Sequence, residues 1–191
     1  MKILLLSPYR ENVIRFLELD ENEVITTEEN ISLSSEVIQG IDFVISYGYR
    51  HILKEDLIRL FPNKIINIHI SLLPWNRGSD PNLWSFLENT PKGVSIHYVN
   101  LGVDTGDILV QEEVLFTEDD TLKTSYYRLT ATAFELFKKN WNDIKREKIA
   151  AKSQTKNGSF HRLKDRKKYE YLLDRGWDTP VRNLIGKALK S

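Results

Sequence analysis

Cysteine is absent from this sequence of 191 residues, and long apolar runs are absent as well. Without cysteine there are no disulfides, no thiolate metal ligands and no cysteine nucleophile, a composition that fits a reducing compartment. The opening segment 2–7 is apolar but shorter than the apolar part of a signal peptide, and no stretch approaches the roughly 18 apolar residues of a membrane span. We therefore expect a cytoplasmic protein with no membrane partner.

Glycine-rich phosphate-binding motifs are missing too. The nine glycines form neither a GxGxxG nor a Walker A sequence, and the loop after the first apolar segment, residues 7–10, contains no glycine. The sequence therefore does not support a dinucleotide clamp or a triphosphate clamp of these kinds.

Charge is balanced overall but unevenly distributed. Of 27 basic and 27 acidic residues, 18 basic and only 7 acidic ones lie in residues 121–191. Such an asymmetry is typical of an anion-binding region, but it also arises when solvated helix faces differ in sign. Both interpretations stay open at this point.

Apolar segments with strand character alternate with segments of helical spacing. Strands are predicted at 2–7, 23–27, 42–47, 64–69, 93–100 and 107–114, and helices at 13–19, 33–38 and 55–60. This alternation predicts an α/β protein with a Rossmann-like, mostly parallel open sheet. A long helix capped by Asp119 or Asp120, a helix at 163–174 and a last helix from 179 predict a helical C-terminal portion, 119–191, within a single domain, 1–191.

Three polar side chains stand near the ends of predicted strands. Asn67 and His69 end the fourth strand, and Asp104 lies in the loop between the fifth and sixth. Because ligands bind beyond the carboxyl ends of strands in open α/β sheets, we expect all three to meet near the loop 48–53. An amide and an imidazole can stabilise an oxyanion and a carboxylate can manage protons, which is the equipment of acyl transfer.

Simpler interpretations exist for each of these residues. His69 alone fits an interior histidine, Asp104 beside glycine fits a turn, and His97 fits the core or a support for the site. A metal site is not expected, because asparagine is a poor zinc ligand and the sequence has no close histidine pair.

Several separate blocks resemble the formyltransferase family that uses 10-formyltetrahydrofolate. The blocks are Asn67-Ile68-His69, Ser71-Leu72-Leu73-Pro74, His97, and Asp104-Thr105-Gly106-Asp107-Ile108. The resemblance implies that Asn67 and His69 bind the formyl oxygen, and that Asp104 orients His69 or a water and helps to remove the proton of the attacking amine. It implies 10-formyltetrahydrofolate as co-substrate and no metal. Its pterin would be held by Arg50, His51, Ile52, Leu53, Asn100, Leu101, Gly102 and Val103.

Departures from the family pattern narrow the expected acceptor. Ile70 replaces a common proline. The N-terminal part is short and its first loop, residues 7–10, lacks glycine, which disfavours glycinamide ribonucleotide as the acceptor. The RNA-binding domain of methionyl-tRNA formyltransferases does not follow the catalytic part, so no nucleic acid partner is expected. Two segments, the loop after Pro74 and Gly176-Trp177-Asp178, are similar to the corresponding segments of the nucleotide-sugar (amino sugar) N-formyltransferases.

The resemblance to this branch implies a UDP- or dTDP-linked 4-amino-dideoxy sugar as acceptor, used for a bacterial surface glycan. The implied substrate-binding residues are Trp75, Arg77, Asp80 and Asn82, and the basic run 162–168 is a further candidate for the diphosphate. A different amine acceptor and an inactive folate-binding module remain as alternatives, and a homodimer stays open.

Overall fold

The computed structural model describes residues 1–155 and 157–189. In chain order the strands and helices are β1 (Lys2–Leu6), α1 (Glu11–Leu19), β2 (Glu23–Thr27), β3 (Phe43–Ser46), α2 (Glu55–Leu60), β4 (Ile65–His69), β5 (Arg77–Gly78), α3 (Pro81–Leu87), β6 (Gly93–Tyr98), β7 (Ile108–Glu113), α4 (Leu122–Ile144) and β8 (Phe160–His161). Helical segments of the 3-10 type occupy Glu36–Ile38, Leu163–Leu172, Gly176–Asp178 and Val181–Asn183.

The chain divides into two compact units. The first consists of Met1–His69, Ile96–Val110 and Phe137–Ser153, and the second of Ile70–Ser95, Gln111–Leu136 and Gln154–Ser191. Strands β6 and β7 and helix α4 each contribute one part to the first unit and one part to the second.

The first unit is built on parallel strands. The sheet order is β2-β1-β3-β4-β6-β7, and β2, β1, β3 and β4 are paired in parallel. Every residue of β3 and all but the first residue of β1 are buried. Strands covered on both faces need apolar side chains at every position, which explains the continuous apolar runs. The mostly parallel α/β architecture predicted from the sequence is confirmed.

Strand β6 runs antiparallel to β4, which the sequence did not indicate. The amide of Val99 donates to the carbonyl oxygen of Ile65 at 3.0 Å, and His97 lies opposite Asn67. From His97 to Val99 the residue number on β6 rises by two, while the residue opposite on β4 changes from Asn67 to Ile65. The two strands therefore run in opposite directions. The loop after β6 therefore starts level with the first residue of β4, and the expected reason for the convergence of the site, a shared carboxyl edge, is wrong.

Helices cover both faces of the parallel strands in the first unit. On one face, Leu4 and Val44 pack with Leu57 of α2 in a buried cluster. On the other face, the Phe43 ring meets the Trp141 ring edge-on at 5.2 Å. Because successive strand residues point to opposite faces, Phe43 and Val44 serve different clusters.

The second unit contains α3, which the sequence reasoning missed. Pro81 occupies the first turn of the helix, where its missing N–H leaves no bond unmade. All residues from Asn82 to Leu87 are buried, so the helix lacks the polar face that marks an amphipathic pattern. The start of α4 in the same unit is capped by Thr121, whose Oγ1 accepts from the Thr124 amide at 3.2 Å, rather than by Asp119 or Asp120.

The C-terminal helices beyond α4 are shorter and tighter than expected. Leu163–Leu172 is a 3-10 segment with no buried residue, and the described residues beyond the predicted start at 179 contain one short helical segment, Val181–Asn183. Within Leu163–Leu172, only Tyr169 and Leu172 pack, partly buried, against the core cluster of the second unit, so an α-helix there would gain little packing energy. The predicted C-terminal portion 119–191 includes residues 156, 190 and 191, which lie outside the described residues. Within the described part, no helix has the length and apolar composition needed to cross a bilayer.

Candidate active site

Two neighbouring strands of the first unit place polar side chains on one face of the sheet. Asn67 and His69 are two residues apart on β4, so their side chains share one face of the sheet. Ile66, before Asn67, and Ile68, between the two, are buried on the opposite face. Asn67 is paired with Ser46, the last residue of β3, so the chain leaving β3 starts at its level.

Asp104 meets these side chains. The Asn67 Nδ2 atom donates to Asp104 Oδ1 at 3.0 Å. The second oxygen, Oδ2, lies 3.7 Å from His69 Nδ1, which is an ion-pair distance but too long for a direct hydrogen bond. The side chains of His69 and Asp104 are only 9% and 12% exposed. The structure therefore brings the three predicted residues together in one largely buried cluster.

His97 of β6 belongs to the same cluster. Its Nδ1 atom lies 2.7 Å from the Tyr98 carbonyl oxygen, so this nitrogen carries the hydrogen. Its Nε2 atom lies 3.3 Å from Asn67 Nδ2 and 3.5 Å from Asp104 Oδ1. His97 was expected in the core or as a support, and its side chain, 2% exposed, is both buried and in contact with the polar cluster.

The amide of Asn67 cannot serve both neighbours with straight hydrogen bonds. From the three distances, Asp104 Oδ1 and His97 Nε2 subtend an angle of about 70° at Asn67 Nδ2, whereas the two N–H bonds diverge by about 120°. The charged carboxylate is the stronger acceptor. If one N–H of Asn67 points straight at Asp104, the angle N–H···Nε2 between the second N–H and His97 is at most about 110°. Such an angle makes a weak contact. This second N–H is available to an incoming oxygen.

The loop that carries Asp104 is fixed by its own short contacts. Asn100 Oδ1 accepts hydrogen bonds from the Gly102 amide at 3.1 Å and from Thr105 Oγ1 at 2.7 Å. A Cβ at Gly102 would lie 2.1 Å from Thr105 Oγ1, and one at Gly106 would lie 1.7 Å from the Tyr98 carbonyl oxygen. Asp104 itself has φ of 52°, a left-handed conformation that aspartate tolerates better than most residues. The Asn100 side chain is thus used inside its own loop.

The two loops predicted to hold the pterin both lie in the first unit. Ile52 is 73% exposed, and Leu101 and Val103 are 63% and 37% exposed. Arg50 and His51 are exposed as well, Leu53 is half-buried, and Gly48, with φ of 75°, allows the turn after β3. These loops present apolar side chains to solvent, as a surface that binds a flat heteroaromatic ring would.

Three of the predicted substrate residues are partly exposed in the second unit. Arg77 donates through Nε to Gln154 Oε1 at 3.1 Å and through Nη2 to the Thr155 carbonyl at 3.4 Å. Its Nη1 group has no partner in the part of the chain that the structure describes. Asp80 pairs with Arg166 at 3.5 Å, and Trp75 is half-buried.

Asn82 differs from these three residues. It is buried, with Nδ2 donating to the Leu122 carbonyl at 2.9 Å and Oδ1 accepting from Ser125 Oγ at 3.0 Å. Both polar ends of this side chain are satisfied within the second unit. We therefore leave Asn82 out of the substrate site and assign it to the joint between α3 and the start of α4.

A polar cluster in the second unit was missed by the sequence reasoning. Asn76, fully buried, donates to Glu88 Oε2 at 3.2 Å, and Glu88 Oε1 lies 3.1 Å from His161 Nε2. Burial alone would raise the pKa of Glu88, but contacts with His161 and Ser159 outweigh it and lower this pKa. The cluster ties residues 157–161 to the loop that carries Arg77, and no pattern of neighbouring residues in the sequence signals it.

The described residues contain no group of three or more histidine, aspartate or glutamate side chains arranged to hold a metal ion. The cluster at Asn67 therefore consists of hydrogen-bond donors, an imidazole pair and one carboxylate.

Comparison with known proteins gives a family match over most of the site. The model of a family described as "Formyl transferase" matches residues 18–139. The formyltransferase PseJ from Anoxybacillus kamchatkensis is 53% identical, with a TM-score of 0.96 and coverage of 98% of this chain and 100% of that one. Its crystal structure was solved in complex with UDP-4,6-dideoxy-4-formamido-L-AltNAc and tetrahydrofolate.

More distant relatives share the fold or part of the sequence. A 4-N formyltransferase from Francisella tularensis is 22% identical, with a TM-score of 0.78 and coverage of 87% of this chain and 78% of that one. A methionyl-tRNA formyltransferase from Finegoldia magna is 32% identical over 117 residues, which are 61% of this chain and 38% of the relative. The chain spans between 30% and 49% of the length of six curated methionyl-tRNA formyltransferases that it matches.

Proposed function

Because the chain belongs to the formyl transferase family, we propose that it transfers the formyl group of 10-formyltetrahydrofolate to the 4-amine of a UDP-linked 4-amino-4,6-dideoxy sugar. The observation that carries the proposal is the cluster of Asn67, His69 and Asp104, in which one Asn67 N–H is bound to Asp104 and the other makes only a poorly aligned contact with His97, so that it can donate to an incoming oxygen. The bound sugar nucleotide and tetrahydrofolate of the 53% identical PseJ support the choice of substrates.

The proposed chemistry uses each of the three side chains. The amine nitrogen attacks the formyl carbon, the carbonyl oxygen becomes an oxyanion, and the bond from the formyl carbon to N10 of the folate then breaks. The amine loses one proton and N10 gains one, so the transfer is balanced. The second N–H of Asn67 and an N–H of the His69 ring donate to the oxyanion, and each such donor contributes roughly 3 kcal/mol to the transition state.

Asp104 has two parts in this reaction. One carboxylate oxygen accepts from the amide of Asn67. The other faces His69 Nδ1, so that the Nε2 side of this ring points away from the carboxylate. A carboxylate beside the attacking amine also accepts its proton as the adduct forms. Such proton transfer contributes about a hundred- to ten-thousandfold in rate.

The pterin is assigned to the loops 50–53 and 100–103. Exposed Ile52 and Leu101 supply apolar surface, and the backbone groups of both loops supply donors and acceptors. Since the Asn100 side chain is held by Gly102 and Thr105, only its backbone is assigned to the folate.

The acceptor is assigned to the residues after β4 in the second unit. Arg77 keeps its Nη1 group for a phosphate oxygen, and Trp75 offers a half-buried ring for the sugar or the base. A dTDP-linked sugar and a cytoplasmic location remain within the proposal, and a homodimer stays a prediction.

The test is a product analysis with a panel of acceptors. The protein is incubated with 10-formyltetrahydrofolate and, separately, a UDP-linked 4-amino-dideoxy sugar, its dTDP counterpart, the corresponding 3-amino sugar, and methionyl-tRNA. Mass spectrometry should show one added formyl group on the UDP-linked 4-amino sugar, and loss of the formyl donor should match it in amount. Formylation of the tRNA alone would replace the proposed acceptor, and no formylated product in any arm would overturn the function.

A further inference from the structure

His97 contacts the cluster of Asn67, His69 and Asp104, but the reaction proposed above gives it no role. We propose that His97 is a positioning residue, which keeps the N–H side of the Asn67 amide, and not its carbonyl side, turned toward Asp104 and the formyl oxygen. The inference rests on the proposed function, since the orientation of this amide matters only if Asn67 donates to the oxyanion.

The tautomer of His97 is set by its own strand. Its Nδ1 atom lies 2.7 Å from the Tyr98 carbonyl oxygen, which can only accept, so the ring hydrogen is on Nδ1. The neutral ring then presents a bare lone pair at Nε2. Because the ring is 2% exposed, water does not compete for this atom.

The lone pair of His97 faces a second acceptor and a donor group. Asp104 Oδ1, at 3.5 Å, is an acceptor, while Asn67 Nδ2, at 3.3 Å, carries hydrogens. If the Asn67 amide were flipped, its carbonyl oxygen would face both a carboxylate and a lone pair. The flipped amide would thus make two unfavourable acceptor–acceptor contacts, whereas without His97 it would make only the one with Asp104.

A charged His97 ring fits the distances less well. With hydrogen on Nε2, the ring would pair with Asp104 at 3.5 Å but would point its N–H toward the N–H groups of Asn67 at 3.3 Å. The neutral ring with hydrogen on Nδ1 donates to the Tyr98 carbonyl and turns its Nε2 lone pair toward the N–H side of Asn67, which itself donates to Asp104. This distinction gives the inference a direct spectroscopic signature.

The first test examines the unmodified protein. The chain has four histidines, so long-range nitrogen–proton spectra of protein labelled with ¹⁵N-histidine are simple, and His97→Gln identifies the signals of His97. At the pH of the transfer assay we expect a protonated Nδ1 and an unprotonated Nε2. A proton on Nε2, in the other neutral tautomer or in the charged ring, would overturn the inference.

The second test is kinetic and uses a matched pair of variants. His97→Phe removes both nitrogens while keeping a ring, and His97→Gln restores an acceptor at about the reach of Nε2. We expect kcat to fall about 10- to 100-fold in His97→Phe with both KM values within about threefold, because the variant misplaces an oxyanion donor while the groups that bind the substrates are unchanged. In His97→Gln we expect kcat to return to within about threefold of the wild type.

Several results would contradict the positioning role. These are an unchanged kcat in His97→Phe, an effect confined to KM, or a folded His97→Gln as slow as His97→Phe. Should His97→Phe not fold, the spectrum of the wild-type protein still decides. Failure of the proposed function is separate, because it would be seen as absence of transfer by the wild type with every acceptor.

Discussion

The amide nitrogen of Asn67 donates to the carboxylate of Asp104 at 3.0 Å, although 37 positions separate the two residues in the chain. The carboxylate can only accept, so the bond establishes which end of the Asn67 amide faces it. The same bond leaves a second N–H poorly aligned with His97, and it connects the strand β4 to the loop after β6. The assigned chemistry depends on this one contact.

Replacement of Asp104 by asparagine is the first prediction. Asparagine tolerates the left-handed conformation at this position, so Asp104→Asn keeps the loop while removing the negative charge. We expect kcat to fall about 100-fold or more, since the variant has neither the general base nor the charged acceptor for Asn67. Steady-state kinetics with the UDP-linked 4-amino sugar measures the effect.

The control for Asp104 is a second aspartate in the same loop. Asp107 is exposed, and its backbone carbonyl, not its side chain, accepts from the Tyr98 amide at 2.9 Å. Asp107→Asn should therefore stay within about threefold of the wild-type rate. Equal decreases in the two variants would show that the charge of the loop, rather than Asp104 itself, matters.

Gly106 provides a steric test of the same loop. A methyl group there would lie 1.7 Å from the Tyr98 carbonyl oxygen and 3.4 Å from His97 Nδ1. Gly106→Ala should displace the carbonyl that holds His97, lowering kcat/KM by about tenfold or more and the free energy of unfolding by about 1–3 kcal/mol. Gly40→Asn is the control, because nothing lies within 4 Å of its Cβ position and asparagine tolerates its φ of 69°. Wild-type kinetics in Gly106→Ala would contradict this account of the loop.

Asp120 in the second unit gives a stability prediction with a defined pH dependence. Its carboxylate accepts from the Thr117 amide at 2.9 Å and pairs with Arg128 at 2.9 Å. Burial alone would raise the pKa of Asp120, but the hydrogen bonds from Thr117 and Thr124 and the charge of Arg128 lower it below its ordinary value of 3.8. A lowered pKa stabilises the fold above 3.8, and this contribution disappears as the pH falls through the pKa of the folded state.

Asp120→Asn should therefore lower the free energy of unfolding by about 1–3 kcal/mol at neutral pH. The difference from the wild type should shrink below pH 3.8, where the wild-type carboxyl group also becomes neutral. Denaturant titrations across this range measure both effects. Asp119→Asn, with a side chain 92% exposed, should change stability by less than about 0.5 kcal/mol. A constant difference at all pH values would exclude ionisation as the cause.

Arg77 tests the assigned acceptor site. The guanidinium is oriented by Gln154 and Thr155, which leaves Nη1 for a phosphate oxygen. Arg77→Gln should raise KM for the sugar nucleotide about tenfold or more, with kcat changed far less, because the substitution removes a binding interaction common to the ground and transition states. Arg15→Gln, at an exposed position of α1, is the matched charge control. If the KM for the folate rises instead, Arg77 belongs to the folate site and not to the acceptor site.

Much of the fold follows from local sequence patterns. The apolar runs at 2–7 and 42–47 predicted β1 and β3 because buried parallel strands need apolar residues at every position. The direction of β6 did not follow, since residues 93–98 have the same pattern whichever way the strand runs. Helix α3 was missed because Asn82 and Ser85 are buried by hydrogen bonds rather than by apolar character.

The candidate site could be predicted in part. Asn67 and His69 follow from their spacing on one strand, because alternate residues share a face. Asp104 was placed correctly beside them for a wrong reason, since its loop starts at the other end of β4 and reaches Asn67 through a turn that Gly102 and Gly106 allow. The contact between His97 and Asn67 depends on the register of β4 with β6, a long-range feature that no local pattern encodes.

The rate of formyl transfer in Asn67→Ala tests the central claim most directly. Alanine removes the amide but leaves the strand intact, so single-turnover and steady-state rates with the UDP-linked 4-amino sugar isolate the effect of the missing donor. We expect kcat about 100- to 1,000-fold below the wild type, with both KM values within about threefold, as for removal of one oxyanion donor. A kcat within about threefold of the wild type would show that Asn67 does not bind the developing oxyanion.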